Sequence, residues 1–480
     1  MKKKKRNQAS SLSDATLFRT SGASLVSGNS LTILRDGREN YPEWEAAIRS
    51  AQKTIHIEMY IIHNDRTGRH FRDLLAHKAR EGVKVRVLYD WFGSRSIIGR
   101  NMWAPLIAAG GEARSANPPR KSGLIGWMRR DHRKLLTVDS SVSFISGLCI
   151  GDAWVGNTKS GIMPWRDTGV KITGPAVADS EEVFAEAWKL SGGQLDGRSL
   201  PRREGLAPAG NVDVRIVAAS PNTAGLYRLD LLIAAAAQEY LWITDAYFLA
   251  TSAYIQALRS AALHGVDVRL LVPQVSDIQW IANLSRGTYR TLIEAGVRVY
   301  EWNGAMVHAK SAVCDGVWAR IGSTNLNVSS WLGNWELDVV IENNLVAARV
   351  ADMFLEDLRN STEIVITEQN KVRPVRRKGR PRRLRIIHSS GQGVITKAIT
   401  AGSALNAAVT GKRKLGRYES WPLFSIGLLL CAAAAGIALF PDLFSFSVTA
   451  GLAVTGVYLL AKSIRLKLSR PKDGAGGKNN

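Results

Sequence analysis

"DHRKLLTVD", Asp131–Asp139, holds a histidine, a lysine two places on and an aspartate five further. "VHAKSAVCD", Val307–Asp315, repeats the same three residue types at the same spacing. One H-x-K-x-x-x-x-D is a weak signal in a chain with 8 histidines. Here the surroundings repeat too. "YPEWEAAIRSAQ", with helical spacing, leads into the β-branched and aromatic "KTIHIEMYII"; "GRHFRDLLAHKAREG" then precedes the alternating "VKVRVLYDWFGS". In the second half "LYRLDLLIAAAAQE", "YLWITDAYFL", "SAYIQALRSAALHG" and "VDVRLLVPQVSD" follow in the same order. Gly82 and Val83 correspond to Gly265 and Val266, and His132 to His308. Such agreement across strands, helices and motif marks an internal duplication. Strands alternating with helices imply two α/β units, each with a largely buried sheet.

The motif is expected at the end of a strand, where residues two apart share a face: His132 with Lys134, and His308 with Lys310. Two halves packed about a pseudo-twofold axis would bring both faces into one cleft. Two imidazoles and two ammonium groups around one point suit a phosphodiester. One neutral imidazole attacks phosphorus and forms a phosphohistidine. The other, protonated, gives its proton to the departing alkoxide. The lysines hold the non-bridging oxygens as charge develops. No cluster of metal ligands is visible in the sequence, so neither metal nor cofactor is expected.

These stretches resemble the phospholipase D superfamily, named for its paired motif, over roughly 27–363. The resemblance is closest to bacterial cardiolipin synthases, in "GVKVRVLYDWFGS", "RRDHRKLLTVD", "WRDTGVKITGPAV", "DAYFL" and "IGSTNLN". It implies two duplicated α/β sandwich halves sharing one active site, with His132 as nucleophile and His308 as proton donor. It implies that Asp139 and Asp315, the last residues of the two catalytic motifs, are mainly structural. The carboxylate orienting each histidine lies about thirty residues downstream of its motif, which gives Asp167 in "WRDTGV" and Glu336 in "NWELDV". The small-residue turns after the motifs supply phosphate-site support: Gly147 in the first half, Ser323 and Asn325 in the second. Asn325 fits the family's asparagine, but "SGLC" puts Cys149 at the matching first-half position. A thiol replaces an amide donor and acceptor poorly.

Composition sets the setting. The chain has 480 residues, 45% hydrophobic content and a formal net charge of +23. It can bury more than one core, and its surface attracts polyanions, either nucleic acid or an anionic membrane. Cys149, Cys314 and Cys431 are too scattered for a zinc or disulfide framework and read as small packed residues. His56, His63, His70 and His77 read as ordinary packed or surface residues, and Trp127 as a candidate interfacial anchor or core residue. "MKKKKRNQASSLSDATLF" lacks the apolar stretch of a signal peptide.

The expected organisation is a basic disordered arm over 1–26, a first half over 27–205 and a second over 206–366. A basic linker over 367–420, containing "KVRPVRRKGRPRRLR", follows, then a membrane hairpin over 421–462 and a basic, Gly-rich tail over 463–480. The hairpin rests on two uncharged runs, Pro422–Phe440 and Leu443–Ala461. Each would reach about 28 Å as a helix, close to hydrocarbon thickness. Basic residues on both flanks are expected to put both ends, and the catalytic part, on the cytoplasmic face of the bacterial inner membrane. The tight turn at Pro441 and Asp442 is compatible with a hairpin that crosses fully and with a re-entrant one that does not. The expected function is conversion of two phosphatidylglycerol molecules into cardiolipin with release of glycerol. The alternative is a phosphodiesterase or nuclease of the same superfamily; the apolar hairpin argues against a nucleic-acid partner.

Overall fold

The computed structural model describes residues 12–97, 101–118, 129–195, 197, 200–366, 372–374 and 453–461, with single positions 424, 427, 428, 431 and 464. Two units are distinguished: one contains 1–282 and 289–376, the other 283–288 and 377–480. The sheet and the site belong to the first.

The first half contributes β1 (Val26–Arg35), β2 (Thr54–Met59), β3 (Lys84–Asp90), β4 (Glu112–Ala116), β5 (Lys134–Val138), β6 (Val142–Ser146) and β7 (Thr168–Thr173). The second contributes β8 (Val212–Ala219), β9 (Tyr240–Thr244), β10 (Asp267–Pro273), β11 (Arg298–Trp302), β12 (Ser311–Cys314), β13 (Trp318–Gly322) and β14 (Glu336–Ile341). Their spatial orders are β1-β7-β6-β5-β2-β3-β4 and β8-β14-β13-β12-β9-β10-β11. Strand for strand the orders are the same, so the duplication read in the sequence is a duplication of topology. In each half three strands are parallel, joined by helices such as Arg66–Arg80 and Ser252–Leu263, and the motif strand opens the antiparallel part. β1 and β8 pair antiparallel and fuse the halves into one mixed sheet.

The central strands are buried on both faces, which is why they read as nearly continuous apolar runs. One core is shared. Ile145 of β6 and Val170 and Ile172 of β7 belong to the same buried cluster as Ile321 of β13 and Leu337 and Val339 of β14. The helices Val177–Leu190 and Asn344–Arg359 close it with Phe184, Trp188, Val346 and Val350. This packing faces β6 and β7 of the first half against β13 and β14 of the second, and Leu135 of β5 and Val313 of β12 join the same cluster.

Two expectations about boundaries are corrected. The arm over 1–26 is not disordered throughout: Asp14–Ser21 is a helix capped by Ser13, whose Oγ accepts the Thr16 N–H. Leu17 is 2% exposed within the core of the second half, and Asp14 pairs with the buried Arg215 at 2.6 Å. "SDATLF" thus holds both a cap and a core anchor, a pattern masked by the basic run before it. At the other end Val372–Pro374, placed in the linker, is a strand, β16, paired with β15 (Ser361–Ile366). Most of the linker and hairpin lies outside the described residues, as does Trp127. Among the described residues no helix is long and apolar enough to cross a membrane.

Candidate active site

His132 and His308 line a single cavity of about 1010 Å³. Each precedes its strand by two or three residues, since β5 begins at Lys134 and β12 at Ser311. The motif therefore opens a strand where the sequence reading put it at an end.

The segments bearing the histidines are stitched across the halves. His132 N–H donates to the Trp335 carbonyl at 2.9 Å, and Trp335 N–H returns a bond to Arg130. Symmetrically, His308 N–H donates to the Arg166 carbonyl at 2.6 Å and Arg166 N–H to Met306 at 2.8 Å. Each motif thus lies against the segment that carries the other half's carboxylate. His132 Nδ1 bonds Glu336 Oε2 at 2.8 Å, and His308 Nδ1 bonds Asp167 Oδ2 at 2.7 Å. This corrects the expected assignment: both carboxylates are present, but each serves the histidine of the opposite half. With Nδ1 so engaged, Nε2 is left as the reactive nitrogen of each ring.

The two carboxylates are anchored differently. Glu336 Oε2 accepts the Ser323 hydroxyl at 2.6 Å. Asp167 Oδ2 accepts the Trp154 indole N–H at 3.1 Å, and its Oδ1 the Thr168 N–H at 2.8 Å. Gly147, at the position matching Ser323, lies so close that a Cβ there would sit 2.2 Å from Asp167 Oδ1. Glycine leaves room for the carboxylate.

Electrostatics follow from burial. Burial drives His132 down to about 4 from its ordinary 6.5, with Glu336 opposing and Lys134 and Lys310 assisting. His308 is also lowered, by burial and then by Lys310, against the pull of Asp167. Burial alone would raise Asp167 and Glu336, but His308 and His132 respectively hold them below their usual range. Burial pushes Lys310 down to about 8 and lowers Lys134. Lys310 Nζ stands 3.0 Å from His308 Nε2.

Asp139 and Asp315 are elsewhere. Each follows its motif strand, so Asp139 stands at the opposite end of the five-residue β5 from His132. The Asp139 carboxylate accepts the N–H groups of Gln52, Lys53 and Thr54; that of Asp315 accepts those of Gln238, Glu239 and Tyr240. They fasten the starts of β2 and β9. Cys149 and Asn325 both line the cavity, and burial raises the Cys149 thiol.

Several site residues escaped the sequence reading. Tyr60 stacks edge-on against His132 at 4.7 Å between centroids, and Tyr247 against His308 at 5.8 Å. Lys134 lies 5.0 Å over the Tyr60 ring and Lys310 5.8 Å over that of Tyr247. Their signal was available, for "EMY" and "DAY" occupy matching strand ends. Trp154 and Trp165 flank His308, and among the described residues no tryptophan stands in ring contact with His132. His63, read as an ordinary residue, lines the cavity.

A family described as cardiolipin synthase, phospholipase D-like domain, matches residues 45–185 and 232–358. The cardiolipin synthase of Alkalihalophilus pseudofirmus is 32% identical over 340 residues, 69% of this chain and 66% of that protein. Cardiolipin synthase A of Pseudomonas syringae pv. syringae is 33% identical over 365 residues, 74% of each. Among solved structures, the phosphatidylserine synthase of Haemophilus influenzae Rd KW20 superposes with a TM-score of 0.56 at 18% identity. That match covers 69% of this chain and 87% of the other, and it is a likeness of fold.

Proposed function

The chain belongs to the cardiolipin synthase family of the phospholipase D superfamily, and on that premise we propose that it is a membrane-bound phosphatidyltransferase. It joins two phosphatidylglycerol molecules into cardiolipin and releases glycerol. The observation that carries this reading is the reciprocal arrangement of two buried His–carboxylate pairs on one cavity.

In the first step His132 Nε2 attacks phosphorus of one phosphatidylglycerol, and the bond from phosphorus to the headgroup glycerol oxygen breaks. His308 gives its Nε2 proton to that oxygen, so glycerol leaves neutral. In the second step His308 takes the proton from a headgroup hydroxyl of another phosphatidylglycerol. The resulting oxygen attacks phosphorus, the P–N bond breaks, and His132 is restored as cardiolipin forms. Lys134 and Lys310 offset the charge on the non-bridging oxygens. Asp167 on His308 Nδ1 offsets part of the cost of charging a buried ring. No cofactor enters either step, and Asn325 and Ser323 support the phosphate site, the latter through Glu336.

The two apolar runs, Pro422–Phe440 and Leu443–Ala461, and the basic residues on both their flanks support a location at the inner membrane, with the catalytic part on its cytoplasmic face. The net charge of +23 favours one other reading, a phosphodiesterase or nuclease acting on nucleic acid. Purified full-length protein, vesicles containing labelled phosphatidylglycerol and EDTA decide between them. Labelled cardiolipin with free glycerol is expected; DNA cleavage without lipid turnover would replace the first reading with the second.

A further inference from the structure

We propose that the mouth of this cavity is a membrane-docking face: Trp280 and Val328, on the second-half rim, enter an anionic phospholipid bilayer, and Arg95 and Arg130, on the first-half wall, meet its headgroups. The inference rests on the phosphatidyltransferase reading for its choice of partner.

Trp280 is 61% exposed and Val328 51%, yet both line the cavity. Val275 and Leu332, in the segments that carry other lining residues, are exposed as well. Large apolar side chains normally leave a rim to polar ones, and a cluster like this marks a surface with a partner. Tryptophan is the side chain best suited to the polar–apolar boundary of a bilayer, since its ring is apolar and its N–H can stay wet. Behind the rim the apolar character continues inward through Ile61, Leu249, Ala250 and Ile281. The opposite wall is cationic. The guanidinium groups of Arg130 and Arg95 lie 4.1 and 5.2 Å from the ring centroid of Phe92, itself a lining residue. The acidic side chain among the described lining residues, Asp277, accepts the Tyr247 hydroxyl at 2.7 Å.

An apolar rim facing a cationic wall fits a surface that offers hydrocarbon and negative phosphate a few ångströms apart. A phospholipid bilayer has that profile. A phosphatidyl group could then reach His132 and His308 while its acyl chains remain largely in hydrocarbon. A protein partner would satisfy the apolar rim but supplies no reason for the arginines at the mouth.

The test uses the full chain with Cys431→Ser and a single environment-sensitive fluorophore at Trp280→Cys, or at Val328→Cys as a second site. Cys149 and Cys314 are buried and do not compete for label. The control is Leu263→Cys, exposed at the C-terminal end of the helix Ser252–Leu263, which leads into the start of β10, the end of that strand away from the cavity-lining segment at Asp277–Ile281. In proteoliposomes of phosphatidylglycerol and phosphatidylcholine, labels at 280 and 328 are expected to shift blue and to be quenched severalfold more by chain-doxyl lipid than the control. Equal access of aqueous iodide to all three labels overturns the proposal. So does a label shielded from both iodide and lipid quencher, which signals a protein contact. Cardiolipin formation by the unsubstituted chain in the same vesicles is scored separately. Lipid-quenched labels without cardiolipin would sink the proposed function alone, and cardiolipin with iodide-exposed labels would sink the docking face alone.

Discussion

His132 and Glu336 lie in different halves of the duplicated chain, yet Nδ1 and Oε2 share a 2.8 Å hydrogen bond. The mirror contact joins His308 to Asp167. Neither half therefore pairs its own motif histidine with its own carboxylate, and each supplies the group that fixes the other's tautomer.

The exchange assigns separate consequences to the two carboxylates. On the proposed roles, Glu336→Gln is expected to slow phosphohistidine formation for every substrate, because Glu336 bonds His132, the proposed nucleophile. Asp167→Asn is expected to slow turnover of phosphatidylglycerol by roughly 100-fold or more. It should recover most of that with a phosphodiester whose leaving group needs no proton. Single-turnover kinetics with both substrates checks this, and the opposite pattern would reverse the roles of the two histidines.

The order of the two histidines is tested by trapping. His308→Ala is expected to accumulate a lipid-labelled phosphohistidine from a substrate with a good leaving group, and His132→Ala to form none. Acid quench followed by peptide mapping locates the label. Label on His308 in the His132→Ala protein would reverse the roles.

The fold was legible in the sequence because duplication doubles every local signal. A strand or helix ambiguous in one copy is read from the other, as "KTIHIEMYII" is from "YLWITDAYFL". The identities of Asp167 and Glu336 came through a resemblance, but their partners did not. Those depend on Trp335 and Arg166 bonding across the shared core, a contact between distant segments that no local spacing encodes. Trp154 was invisible for a related reason: it anchors Asp167 where the second half uses Ser323, so duplication gives it no echo. Asp14–Ser21 was hidden by composition, since its cap and its core leucine follow directly on a run of lysines.

Gly147→Ala tests how tightly Asp167 is placed. The new Cβ would meet Oδ1 at 2.2 Å, so the carboxylate has to leave its position against His308. Activity is expected to fall by roughly 10- to 100-fold, since a small misplacement of a positioning group is costly. The cooperative thermal transition is retained. Wild-type kinetics in this variant would show that the carboxylate relaxes without loss.

Cys149→Asn places an amide where Asn325 stands in the other half. Cys149 is fully buried, and its carbonyl accepts the Tyr41 hydroxyl at 2.7 Å through the backbone, which the substitution leaves in place. The variant is expected to fold and to bind the phosphodiester at least as tightly, seen as an unchanged or lower KM. Loss of both activity and the folded state would show that the thiol occupies a space an amide cannot enter.

The last expectation concerns pH. The attacking ring has to be neutral, and burial, opposed by Glu336, takes His132 down to about 4. With a substrate that needs no acid, kcat/KM for phosphohistidine formation reports ionisation of the free enzyme. It should stay level as pH falls through 6.5 and decline only near 4. The sign for stability is the same: between about 4 and 6.5 the unfolded chain binds a proton at this position that the folded chain does not. Folding free energy contributed here is thus present above the unfolded value and lost as pH falls through that window. Other buried groups act in the opposite sense. Asp90 and Asp230, raised to about 6 by burial, stabilise below their unfolded values and lose that contribution as pH rises through about 6. The clean measurement is therefore a difference, wild type against His132→Gln, by chemical denaturation at each pH. The wild type is expected to lose stability relative to the variant as the solution is acidified from 6.5 toward 4. A rate limb at 6.5 together with a flat stability difference would show that His132 titrates as an ordinary exposed imidazole, and that burial does not set its reactivity.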